Sequence, residues 1–77
     1  MERLSKPQFE IMQALHSFIR KHRVKPLKQE LFIALGWNSR SMFNRNVDRL
    51  AELGLIEVKT HGTSVQRLIP SVEKWAS

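Results

Sequence analysis

Two glycines, Gly36 and Gly54, divide the middle of the chain into two short segments whose apolar residues have helical spacing. Glycine directly after the last apolar position of a helix is typical of a left-handed C-terminal cap, because it adopts a positive φ without steric cost. We therefore predict a helix over about 28–35, a turn of about four residues, and a further helix over about 39–53. A turn this short makes the two helices neighbours in the fold.

The second of these helices has one apolar side and one polar side. Asn38 or Ser39 can cap its N-terminus. Its apolar residues recur at helical spacing, which places them together on the buried side: Phe43, Val47, Leu50 and Ala51. The opposite side carries hydroxyl, amide and charged groups, namely Ser41, Asn44, Arg45, Asp48 and Arg49. Two helices in this order, the second with a polar outer side, are typical of a helix-turn-helix.

A capped helix precedes this pair. Ser5 and Gln8 have the spacing of a capping box, and apolar residues then recur every three or four positions. A first helix over about 6–22 is predicted. The residues at 23–26 read as a connection, since the residue before a proline resists helical geometry.

The spacing changes to alternation after the second glycine. Strands are predicted over about 55–60 and 65–69, with a turn cluster at 61–64 and with Pro70 ending the second strand. The expected fold class is α+β, a winged helix-turn-helix in which three helices precede a two-stranded antiparallel β-hairpin wing.

The length of the chain limits the number of domains, and its charge limits the kind of partner. The 77 residues suffice for one small domain, so we expect 1–77 to form a single unit with a short tail at 70–77. The formal net charge is +6, and such a surface attracts polyanions, chiefly nucleic acid. A basic, solvated surface without a partner is the alternative.

The composition also bears on location. The chain contains no cysteine, which excludes disulfides and thiolate metal sites. No apolar run approaches the roughly 20 residues that span a bilayer, and the N-terminus lacks the pattern of a signal peptide. We therefore expect no membrane association and a cytoplasmic location, in a prokaryotic cell or its virus or plasmid.

Four groups of residues together resemble the N-terminal DNA-binding domain of LexA-type repressors. They are Leu4-Ser5…Gln8…Glu10 at the start of the first helix, Pro26 with Glu30-Leu31…Leu35-Gly36 in the second, Trp37 followed by Ser39 in the turn, and Leu50-Ala51…Gly54-Leu55-Ile56-Glu57 leading into the wing. The resemblance covers about Leu4 to Ile69 without gaps. It implies a transcriptional regulator or repressor that binds double-stranded DNA sequence-specifically through the major groove.

The chain departs from this family at several positions. Family members carry small residues where this chain has Phe32, Met42 and Phe43, often a capping Thr or Ser where it has Leu27, and uncharged or acidic residues where it has Arg40 and Arg45. The operator sequence is therefore not transferable. The self-cleaving protease domain of the family, which supplies dimerisation, has no counterpart in this sequence, so no peptidase activity is expected.

The resemblance implies that the third helix enters the major groove and that its N-terminal half meets base edges. Carried onto this chain, it assigns base readout to Ser39, Arg40, Ser41, Met42, Asn44 and Arg45. The chemistry suits the role, since Arg pairs with guanine, Asn pairs with adenine, and Met can pack on a thymine methyl. The alternative is that these residues form the ordinary solvated side of a core helix.

Contacts to the DNA backbone are expected from a second set of residues: Lys28, Arg49, Lys59, His61, Thr63 and Ser64. Lys28 begins the second helix, whose N-terminus favours anions. Arg49 can instead pair with Glu52 or Asp48, and the wing residues can instead form a plain hairpin tip. The basic run at 20–23 can contact phosphates or can merely suit the C-terminus of the first helix.

Other functional classes find less support in the sequence. His16, His22 and His61 are scattered, and no phosphate loop or nucleophile motif occurs, so we expect no enzyme activity, metal or cofactor. A protein-interaction module, or a viral or plasmid inhibitor, is the main rival, with Phe32 and Ile33 as its contact patch if they are exposed. A replication or recombination accessory protein would use the same groove contacts as a repressor.

One recognition helix reads only a half-site, so a homodimer is also expected. The candidate contacts between two copies are the wing edges, Val72 and Trp75.

Overall fold

The computed structural model describes residues 4–62 and 65–71, which form three helices followed by an antiparallel hairpin. The elements are α1 (Lys6–His22), α2 (Lys28–Leu35), α3 (Arg40–Glu52), β1 (Ile56–His61) and β2 (Val65–Pro70). This α+β layout of a winged helix confirms the predicted fold class. Within the described residues, no helix combines the length and the hydrophobicity required to cross a bilayer.

The helices begin and end at residues that satisfy their terminal backbone groups. Ser5 Oγ accepts the Gln8 N–H at 3.4 Å and Gln8 Oε1 accepts the Ser5 N–H at 3.1 Å, which is the predicted capping box of α1. Leu27 precedes α2 without a side-chain acceptor, but the Glu30 carboxylate accepts its N–H at 2.8 Å. Gly36 ends α2 with a φ of 74°, the left-handed conformation predicted for it.

The core lies where the three helices and the hairpin meet. Nine hydrophobic side chains are buried there: Ile11, Met12, Leu15, Leu31, Phe43, Val47, Leu50, Ile56 and Leu68. The Phe43 ring of α3 packs against Phe32 with ring centroids 5.2 Å apart and against Trp37 at 6.1 Å. Complete burial of such a side chain stabilises by about 1.5–3 kcal/mol. The aromatic cluster therefore determines which side of α3 faces inward.

The second strand runs one residue beyond the predicted end. Pro70 pairs with Ile56 in the hairpin register, although proline has no N–H to donate. The Ser71 N–H donates to the Leu55 carbonyl at 2.9 Å, and hydrogen-bonded and non-hydrogen-bonded pairs alternate along an antiparallel ladder. The pair of Ile56 and Pro70 is therefore non-hydrogen-bonded, so the proline nitrogen faces away from β1 and no hydrogen bond is lost.

The connection between α1 and α2 takes part in the sheet, which the sequence did not predict. The Leu68 N–H donates to the carbonyl of the buried Pro26 at 3.0 Å. Leu27 forms an antiparallel bridge with Arg67. β2 consequently lies between β1 and the segment that leads into α2, and the wing is attached to the start of the helix-turn-helix.

His16 is a half-buried residue of α1 with an unusual environment. Its Nε2 atom is buried and has no hydrogen-bond partner in the part of the chain that the structure describes. Burial lowers the pKa of His16 below its ordinary value, and the nearby Arg20 cation lowers it further. The folded chain therefore favours the neutral imidazole.

We expect the free energy of unfolding to fall as the pH drops below about 6.5, the ordinary pKa of histidine. The unfolded chain then takes up a proton at His16 that the folded chain resists, so the stabilisation is complete above this pH and is lost as the pH falls through the folded-state pKa. Urea unfolding from about pH 7.5 to about pH 5 measures the effect. His16→Gln should flatten the dependence of the free energy of unfolding on pH. His22→Gln, at an exposed position of α1, should retain this dependence. If the free energy of unfolding of His16→Gln falls with pH as steeply as that of the unchanged chain, the assignment to His16 is wrong.

Candidate nucleic-acid interface

The polar residues of α3 point in three directions, which are set by the burial of its inner side. Successive residues of an α-helix are rotated by about 100°, so residues three and four apart share a side. Phe43, Val47 and Leu50 face the core. The side opposite the core carries four exposed residues, Ser41, Arg45, Asp48 and Glu52. One flank carries Arg40 and Asn44, and the other carries Met42, Asn46 and Arg49.

The side of α3 opposite the core changes in charge along the helix. Ser41 and Arg45 occupy its N-terminal half, and Asp48 and Glu52 occupy its C-terminal half. Within the described residues, the Arg45 side chain forms no hydrogen bond or ion pair. A polyanion is therefore attracted to the first half of this surface and repelled by the second.

Ser39, one of the residues predicted to read bases, is the N-cap of α3. Its Oγ accepts the Met42 N–H at 3.3 Å, and the residue is half-buried. Of the two predicted candidates for the cap, Ser39 rather than Asn38 takes the role. The hydroxyl proton is still available to a ligand, but one of the two acceptor lone pairs is directed toward the helix.

The flank with Met42 and Arg49 is engaged in contacts within α3. Asn46 Nδ2 donates to the Met42 carbonyl at 2.8 Å, and the Met42 side chain stays 40% exposed. Arg49 Nη1 lies 3.4 Å from Glu52 Oε1, so Arg49 forms the predicted alternative, an ion pair. Exposed pairs of this kind are worth about 0–1 kcal/mol. A phosphate could therefore displace Glu52 from Arg49 at little cost.

The opposite flank of α3 faces α2. The Arg40 guanidinium lies 4.7 Å from the centre of the Phe32 ring, a cation–π contact that spans the two helices. Phe32 is itself half-buried against Phe43. Arg40 is therefore exposed to solvent but held at the junction of α2 and α3, away from the side that carries Arg45.

Arg40 and Asn44 line a cleft of about 220 Å³ between the start of α2, the start of α3 and β2. The cleft is also lined by Leu27, Lys28, Gln29 and Gln66. Lys28 Nζ lies 3.5 Å from Gln66 Oε1, a long hydrogen bond that joins α2 to the wing. The structure thus brings together three residues predicted to contact DNA, namely Lys28, Arg40 and Asn44.

Gln29 and Gln66 also line this cleft and were not predicted from the sequence. Gln66 carried a detectable signal, because alternate residues of a strand share a face and Gln66 lies two positions before the buried Leu68. A polar side chain on the inward face of a strand indicates a polar partner within reach. Gln29 carries no comparable signal, since it is one of three polar residues in the first turn of α2.

The wing places two cations opposite each other on its outer face. Lys59 of β1 pairs with Arg67 of β2 in the hairpin register. Like charges at such a position repel. The half-buried Arg67 turns toward the α1–α2 connection, where its guanidinium donates to the Lys25 carbonyl. Lys59 remains exposed, as a phosphate contact requires.

Several predicted contact residues lie outside the part of the chain that the structure describes. They are Thr63, Ser64, Val72 and Trp75, together with the side chain of His61.

The two apolar residues considered as a protein-binding patch differ in exposure. Ile33 is 67% exposed. Phe32 is half-buried, since it packs on Phe43 and Arg40 lies over its ring. A single exposed isoleucine is common on soluble proteins and needs no partner.

Residues 4–62 and 65–71 contain no group of three or more His, Asp or Glu side chains that could hold a metal ion. Comparison of the chain with protein-family models, with curated proteins and with solved structures finds no match.

Replacement of Ser39 by Ala should lower the free energy of unfolding by about 1 kcal/mol, because the Met42 N–H loses its acceptor. Ser41→Ala, two residues later on the exposed side, should change this free energy by less than about 0.5 kcal/mol. Urea unfolding of the two variants measures the difference. Equal effects would show that Ser39 is not the cap in solution.

Proposed function

We propose that this chain binds double-stranded DNA sequence-specifically, with the N-terminal half of α3 in the major groove, and that it acts as a transcriptional regulator. The observation that carries the proposal is the charge distribution on the side of α3 opposite the core, where Ser41 and Arg45 precede Asp48 and Glu52. The major groove of B-DNA admits an α-helix. This distribution favours entry of the first half of α3 and keeps the second half away from the phosphates.

Arg45 is the best candidate for reading a base. Its side chain is exposed and has no partner within the described residues, so its donors are available to the O6 and N7 atoms of a guanine. Ser41 lies one turn earlier on the same side. Met42, on the adjoining flank and 40% exposed, can pack on a thymine methyl.

Cations on both flanks of α3 support the same docking. Lys28 lines the cleft on one flank of α3, while Arg49 lies on the other flank. A helix in the major groove lies between two phosphate backbones, so cations on opposite flanks can each meet one strand. Lys59 on the outer face of the wing is a further candidate for phosphate contact.

A homodimer belongs to this proposal, because one copy of α3 reads a half-site. Within the described residues, the edge of β1 is the edge of the wing that is open along its length for pairing with a second copy. β2 meets β1 on one side and Leu27 on the other, whereas within the described residues β1 pairs with β2 alone. The unpaired edge of β1 presents backbone groups that another strand can pair with.

One observation favours a second candidate, a protein-interaction module or an inhibitor: the 67% exposure of Ile33 near the end of α2. A single residue gives such a module little apolar area, and the charge distribution of α3 favours DNA. A replication or recombination accessory protein would use the same contacts to DNA. We place the activity in the cytoplasm of a prokaryotic cell, or with its virus or plasmid.

The proposal is tested by selecting duplexes that bind the chain from a random library and then measuring the affinities of variants. Arg45→Ala should weaken binding to a selected duplex by about 1–3 kcal/mol, because it removes a bidentate base contact. Its effect on a scrambled duplex should be smaller. Arg20→Ala, which removes a cation from the exposed surface of α1, is the matched control and should affect both duplexes equally.

Two results would contradict the proposal or its central contact. If no duplex is enriched and random DNA does not bind, DNA binding is rejected. If Arg45→Ala weakens binding to selected and scrambled duplexes equally, Arg45 contacts phosphate and not a base. The symmetry of the selected sequences reports in the same experiment whether two copies bind together.

A further inference from the structure

The cleft between α2, α3 and β2 has a donor set that suits an anion. Among the residues that the structure describes, its lining contains two cations, Lys28 and Arg40, and three amides, Gln29, Asn44 and Gln66, but no carboxylate. The acidic residue nearest in sequence to the lining residues is Glu30, which follows Gln29. Its carboxylate accepts the Leu27 N–H at 2.8 Å. Ammonium, guanidinium and amide N–H groups are all hydrogen-bond donors.

Both cations are held in place by contacts that leave their charge uncompensated. The Phe32 ring, 4.7 Å from the Arg40 guanidinium, forms no hydrogen bond with it, so the in-plane N–H donors stay available. Lys28 Nζ uses one of its three donors on the Gln66 amide oxygen at 3.5 Å, and this partner is neutral. Binding an anion here would require little further ordering of these side chains.

The size of the cleft also suits a phosphate group. Its volume of about 220 Å³ leaves room for a phosphate group beside the lining side chains. A planar guanidinium matches the spacing of two phosphate oxygens, and an ammonium adds a point charge. Lys28 and Arg40 supply one group of each kind from two different helices.

We propose that this cleft is a binding site for one phosphate group and that Arg40, Asn44, Lys28 and Gln66 are its ligands. Arg40 and Asn44 then contact the backbone and do not read bases, because they lie on the flank of α3 that faces the cleft, whereas Ser41 and Arg45 lie on the side opposite the core. The phosphate is either a phosphodiester of duplex DNA or a free phosphate. The first of these rests on the proposed function, and the second does not.

The free-phosphate arm is an amide NMR titration of the intact chain with inorganic phosphate, with sodium chloride at equal ionic strength as the control. We expect saturable shifts of the Lys28, Gln29 and Arg40 amides and of the side-chain amides of Asn44 and Gln66, which chloride does not reproduce. Arg40→Gln and Lys28→Gln should each weaken phosphate binding roughly tenfold, since each removes a charged donor. Arg45→Gln, a cation lost from the same helix on another side, should not.

The DNA arm measures binding of the same variants to selected and to random duplexes over a range of salt concentrations. Arg40→Gln should weaken both by a similar factor and should reduce the slope of log K against log salt by about 0.9. A larger loss on the selected duplex would make Arg40 a base reader and would overturn its assignment to the cleft. Lys28→Gln repeats the test at the second cation of the cleft.

The two arms separate failure of the cleft from failure of the proposed function. If inorganic phosphate causes no saturable shift and Arg40→Gln leaves DNA binding unchanged, the cleft is not a phosphate site, although Arg45-dependent DNA binding can still stand. If phosphate binds but no duplex does, the cleft proposal holds for a free phosphate and the proposed function fails.

Discussion

The burial of Phe43 against Phe32 and Trp37 is the constraint on which the surface of α3 depends. A helix anchored by an aromatic side chain cannot rotate about its axis without exposing that ring, and this would forfeit about 1.5–3 kcal/mol. Once Phe43 faces inward, the 100° step per residue directs Arg45 away from the core and Arg40 toward α2. One core contact therefore assigns different surroundings to two arginines of the same helix.

The attachment of the wing is the second determinant of the site. The Pro26 carbonyl accepts the Leu68 N–H, and Arg67 donates to the Lys25 carbonyl, so β2 is joined to the segment that leads into α2. This junction brings Gln66 within hydrogen-bond distance of Lys28. The cleft is thus formed by residues that are far apart in the sequence, and hydrogen bonds to the Lys25 and Pro26 carbonyls hold its β2 side against the start of α2.

The helices and the hairpin could be predicted from the sequence because their signals are local. Gly36 marks the end of a helix, Ser5 with Gln8 marks a start, and the change from helical spacing to alternation marks the wing. The bridge between Leu27 and Arg67, and the contact of Arg40 with Phe32, depend on how the elements pack, which no local pattern contains. For the same reason the sequence predicts the residues of base readout as one set, whereas α3 divides them among the side opposite the core, the flank that faces the cleft and the flank that carries Met42.

We propose that the first half of α3, together with the start of α2 and β2, contacts duplex DNA. The amide NMR footprint of a selected short duplex on the intact chain tests this claim most directly. We expect shifts to concentrate at residues 27–29, 39–46 and 66, with the exposed surface of α1 unaffected. A footprint on α1 or around Ile33, with the first half of α3 unchanged, would contradict the account.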